Sequence, residues 1–181
     1  MMKKKIAVIY GLLYSHSCIA GSVTVDYNLK LQEPTCITSL ESGVTNNMII
    51  FPKEISLNDF DANGLASTNG VKFVLKLSKC SEDKGRSASL EISGNNVSNL
   101  FRSSTESKST NTGFYLKYKA YSANDGYEVD ANQKPFIANI GRFTGVETTI
   151  PFWVGVKKID NNEIVTPGVL KSKITFNLIW E

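Results

Sequence analysis

The chain has 181 residues, with 20 Lys and Arg against 17 Asp and Glu, one His and three Cys. Its basic excess lies in the first 20 residues; beyond them 17 basic residues face 17 acidic ones, and histidine is absent. That remainder cannot assemble a Ser/His/Asp triad, a Cys/His dyad or a His-containing zinc site, and its charge gives no reason to expect nucleic acid.

Residues 1–20 predict an export signal. Lys3, Lys4 and Lys5 form a basic start, Ile6 to Tyr14 a short apolar stretch, and Ser17-Cys18-Ile19-Ala20 a small-residue cleavage site after Ala20. The apolar stretch is far short of the roughly 20 residues that span a bilayer. His16 and Cys18 leave with it. The rest is long enough for one core, read as an arm over 21–35 and a domain over 36–181.

The dominant period beyond that point is two. Val23, Val25, Tyr27, Leu29 and Leu31 alternate with polar residues. A strand interrupted at Pro52 is expected between Asn47 and Leu57. Val71, Phe73, Leu75 and Leu77 lead into Cys80, and Ala88, Leu90 and Ile92 form a shorter run. The stretch 103–112 reads as a polar loop. Phe114, Leu116, Tyr118 and Ala120 alternate next, then Ile150, Phe152, Val154 and Val156. The last row is Leu170, Ile174, Phe176, Leu178 and Trp180. Each has strand length and composition. Asn63-Gly64, Asn69-Gly70, Asn124-Asp125-Gly126 and Pro167-Gly168 punctuate them as turns. About seven such strands, with no amphipathic helix, predict an all-β sandwich.

Two cysteines remain in an exported chain, Cys36 and Cys80, and the oxidising compartment favours a disulfide between them over two separate buried thiols. It would close a ring of 45 residues, an effect of about 4 kcal/mol in the chain-entropy treatment.

Four features then stand in order behind the signal. A short alternating arm runs into Pro34-Thr35-Cys36-Ile37. Gly70 to Ser81 forms a strand with its cysteine near the end. Gly168 is the fourteenth residue from the C-terminus, and the last alternating strand carries Trp180 as its penultimate residue. In these the chain resembles the subunits of chaperone–usher pili (fimbriae) of Gram-negative bacteria, and a minor pilin more than a major shaft subunit. The resemblance implies an incomplete immunoglobulin-like β-sandwich (pilin fold) lacking its last strand. A donor strand from a chaperone or a neighbouring subunit would complete it. On this reading Val23, Val25, Tyr27, Leu29 and Leu31 are the donor strand. Gly168, Leu170, Ile174, Phe176, Leu178, Trp180 and the carboxylate of Glu181 form the acceptor groove and chaperone contact. Leu29 stands where the family commonly carries Gly.

The implied partners are a periplasmic pilus chaperone, an outer-membrane usher, neighbouring pilus subunits and a host receptor, with no nucleic acid and no cofactor. The implied role is a non-enzymatic structural subunit on the cell-surface pilus, supporting adhesion. The alternative is a receptor-binding tip adhesin subunit, for which Tyr115, Tyr121, Tyr127 and Trp153 are candidates, although each also reads as a strand-face packing residue. A carboxylate hydrolase built on Asp125 and Glu128 is the enzymatic alternative, and their spacing says no more than a turn.

Overall fold

Alternating apolar residues make two sheets that bury one face each. The structure is a computed structural model and describes residues 18–19, 21–26, 36–42, 44–45, 48–79, 87–142 and 147–180. The strands are β1 (Cys18–Ile19), β2 (Gly21–Asp26), β3 (Ile37–Glu41), β4 (Val44–Thr45), β5 (Met48–Ile50), β6 (Ile55–Ser56), β7 (Val71–Ser78), β8 (Ser87–Gly94), β9 (Asn96–Val97) and β10 (Leu100–Phe101). They continue with β11 (Thr112–Tyr118), β12 (Tyr127–Glu128), β13 (Phe136–Arg142), β14 (Thr148–Lys158) and β15 (Leu170–Trp180). Among the described residues the helical content is two 3-10 turns, Leu57–Asp59 and Ser67–Asn69, and no helix is long and apolar enough to cross a membrane.

One sheet of seven strands runs β3-β7-β14-β11-β10-β9, with β12 beside β11; the other, of six, runs β13-β8-β15-β2-β5-β4. β1, which lies in the segment expected to be removed on export, pairs with β6 in a separate two-stranded sheet. The fold is therefore an all-β sandwich. Phe73, Leu75 and Leu77 on β7 and Phe152, Val154 and Val156 on β14 meet Leu90 and Ile92 on β8 and Ile174 and Phe176 on β15. Phe176 joins the layers, its ring edge-on to Phe152 at 5.1 Å and to Phe73 at 6.3 Å. Burying such side chains is the main favourable contribution to folding, at about 1.5–3 kcal/mol each.

The strands depart from the sequence reading at two places and agree with it at a third. The fourth alternating run ends at Tyr118 rather than Ala120, because Lys119 takes φ 52° and turns the chain out of register; Ala120 is buried past that turn. Between Asn47 and Leu57 the expected interruption at Pro52 is present: β5 and β6 are separated at Phe51–Glu54, where Pro52 withholds a ladder donor. A strand absent from the sequence reading, β13, forms an edge. Ile137 points outward there, 45% exposed, and a bulge between Asn139 and Gly141 breaks the period of two.

Candidate functional site

The site lies along β15. Its inward row is Leu170, Ser172, Ile174, Phe176 and Leu178, all buried, with Trp180 half-buried; Lys171, Lys173 and Ile179 are on the other face. Glu181 lies outside the described residues. From Ile174 to Trp180 the strand pairs antiparallel with β8. Its other edge is taken by β2, the arm of the same chain, which runs parallel to it from Leu170↔Gly21 to Thr175↔Asp26. β2 pairs antiparallel with β5 on its far side, through Ser22↔Ile50, Val23↔Ile49 and Thr24↔Met48. The arm thus fills a slot between β15 and β5, and without it those two strands share no partner.

Of the expected donor residues, Val23 and Val25 fall within β2, in register with Ser172 and Ile174. Tyr27, Leu29 and Leu31 lie outside the described residues. The resemblance implied an arm that leaves its own domain; here its described part completes its own sheet. The pairing is parallel, which is slightly weaker per residue than antiparallel.

Among the described residues, no strand pairs with the first residues of β15 on the β8 side. The loop 102–111 takes that place. Lys171 C=O accepts from Ser103 N–H at 2.8 Å, and Val169 C=O accepts from the N–H groups of Lys108 at 2.7 Å and Ser109 at 3.2 Å. Arg102 holds the loop closed, donating to Thr112 C=O at 2.6 Å and to Ser109 C=O. Ser103, Ser107, Ser109 and Asn111 are buried. The stretch read as a polar loop is here a plug docked on β15 through these buried residues, while Ser104, Thr105, Glu106, Lys108 and Thr110 stay exposed. Gly168, expected in the groove wall, packs against this loop: a Cβ on it would lie 2.6 Å from the Lys108 carbonyl carbon.

Ser172 was skipped by the sequence reading because it breaks the apolar row. It is 2% exposed, and among the described residues its Oγ is the buried side-chain atom without a hydrogen-bond partner. The signal available was that one polar residue in the inward row from Leu170 to Trp180.

Cys36 is buried at the start of β3 and disulfide-bonded. Its expected partner Cys80 lies outside the described residues. The Ile37↔Ser78 register sets the start of β3 beside the end of β7.

The candidates for other chemistry are differently occupied. The Asp125 carboxylate accepts from the Tyr121 and Ser122 N–H groups and from the Ser122 hydroxyl, and these bonds, led by the Tyr121 amide, hold it below the usual carboxylate range. Glu128 instead accepts from the Tyr115 hydroxyl at 3.1 Å and the Asn99 amide at 3.2 Å. The two acids serve separate local structures. Trp153 is 4% exposed, its ring lying over Gly70 and Gly155, with Tyr115 edge-on at 6.4 Å. Both are face-packing residues. Tyr121 and Tyr127 are exposed.

No known family profile matches the chain, and no curated protein does. Among solved structures it is similar to the CupB6 tip adhesin from Pseudomonas aeruginosa, at 12% identity and a TM-score of 0.44, over 67% of this chain and 36% of that one. The chain therefore spans about a third of that adhesin's length, and the likeness is too slight to bear on function.

Proposed function

We propose that the chain is a structural subunit of a bacterial surface pilus, exported through the periplasm as residues 21–181 and polymerised by strand exchange. The observation that carries this reading is the seat of β2 between β15 and β5. A slot that one extended segment can fill takes another of suitable pattern. Main-chain hydrogen bonds supply the affinity, and alternate side chains the specificity. The partners of this reading are a periplasmic chaperone that holds the slot, an outer-membrane usher and neighbouring subunits.

The test is a chain from which residues 21–35 are deleted. It self-associates or is degraded when made alone, and a peptide with the sequence of residues 21–31 restores a monomer. A deletion chain that stays monomeric and unfolds cooperatively without peptide overturns the reading.

A further inference from the structure

Position 23 of the arm sits between Ser172 of β15 and Ile49 of β5. Ser172 and Ile49 are both buried, at 2% and 0% exposure, so this cross-strand row lies on the inward face of the sheet. The rows on either side join Lys171 to Ile50 and Lys173 to Met48 through positions 22 and 24; the lysines and Ile50 are exposed and Met48 is half-buried. Whatever strand fills the slot in this way therefore sets one backbone position in register with a residue that carries a buried hydroxyl. In this chain position 23 is Val, a residue type with no group to bond a hydroxyl, and the Ser172 hydroxyl has no hydrogen-bond partner. A buried hydroxyl in that state is a recurring cost of the self-paired form, and a native structure carries few.

We infer that the slot is built for a strand from a different chain, bearing Ser, Thr or Asn at the position beside Ser172 and apolar residues two places to either side. This rests on the strand-exchange reading and adds the identity of the donor to it. A second copy of this chain does not meet the requirement. The apolar row of its arm offers Val23, Val25, Leu29 and Leu31, none of them able to bond a hydroxyl, and Tyr27, whose hydroxyl stands a ring's length beyond the place a Val takes. A one-residue slip would bring Thr24 to Ser172, but it would also turn Asp26 and Asn28 inward, at far greater cost than one hydrogen bond. The alternation that makes the arm a strand thus makes it a poor match for its own slot.

Two labelled peptides test this on the full mature chain: residues 21–31 as they stand, and the same peptide with Val23→Thr. Each competes with the resident arm, which handicaps both equally. The Thr peptide binds about fivefold or more tighter, the ratio of one net hydrogen bond, and the advantage disappears on the Ser172→Ala chain. Within one chain, Val23→Thr raises the melting temperature of the wild type and does nothing in the Ser172→Ala background. Equal affinity of the two peptides, or a Thr advantage that survives Ser172→Ala, overturns the inference and leaves strand exchange standing. If neither peptide displaces the arm, strand exchange itself fails and the inference falls with it.

Discussion

The Ser107 side chain takes both main-chain groups of Lys171: its oxygen accepts from the Lys171 N–H at 3.0 Å, and its hydroxyl donates to the Lys171 carbonyl at 2.9 Å. One serine thus does what a residue of a paired strand does, at the stretch of β15 that β8 does not reach. Removing it leaves the Lys171 amide without that acceptor. Ser107→Ala is expected to destabilise the domain by about 1–3 kcal/mol, measured as a lower urea midpoint at unchanged m-value. A Ser107→Ala chain as stable as the parent would show that Ser103 and the arm hold the start of β15 without it.

Gly168 gives the same contact a steric test. A Cβ there meets the Ser109 amide nitrogen and the Lys108 carbonyl carbon, and main-chain atoms cannot swing aside as a side-chain end can. Gly168→Ala is expected to cost about 1–3 kcal/mol, the usual penalty of overpacking. The strain falls on the plug, so limited proteolysis should move to residues 103–110 before the rest of the domain opens. Unchanged cleavage there would mean the loop docks independently of residue 168.

These two residues show where sequence reading stopped. The rows Val71 to Leu77, Ile150 to Val156 and Leu170 to Trp180 were legible because a period of two fixes which face a strand buries, whatever it pairs with. The plug was not legible: Ser103, Ser107 and Ser109 have the composition of solvated loop, and their burial depends on β15 lacking a neighbour at Lys171. Ser172 was passed over for the converse reason, as a polar interruption of an apolar row. The arm shows a further limit. Val23 and Val25 alternate identically whether the strand sits in its own sheet or another's, so pattern alone names a strand without naming its host.

Alkaline pH should act through Tyr115. Burial first, then the Glu128 carboxylate it donates to, pushes this phenol from its ordinary 10.0 up to about 12. The folded chain therefore holds a proton that the unfolded chain has released between those values. Stability from the neutral phenol is fully present below pH 10 and is lost as pH rises through about 12. Tyr115→Phe removes the titration, so its stability curve should be flatter than the parent's across that window. Parallel curves would assign the alkaline loss to other groups.

The last prediction separates the arm from the slot it fills. Ile174 is 1% exposed and in register with position 25 of the arm. Ile174→Asp places a carboxylate in the core whichever strand occupies the slot, and an unpaired buried charge is costly in both states. Such a chain should escape its chaperone and be degraded in the periplasm. Val25→Asp is different, because the charge belongs to the removable strand. The domain keeps its slot and should still co-purify with chaperone, but should be missing from fibres, where its arm must enter a neighbour. Its own arm also becomes a weaker competitor. A tethered strand acts at an effective concentration of the order of millimolar, so weakening it should raise the affinity of an added strand peptide by about tenfold for each 1.4 kcal/mol lost. Chaperone co-purification, fibre incorporation and peptide affinity are measured on both variants. If Val25→Asp leaves peptide affinity unchanged, the arm does not guard the slot. If it loses the chaperone as fully as Ile174→Asp, arm and slot are one structural unit and strand exchange is the wrong account.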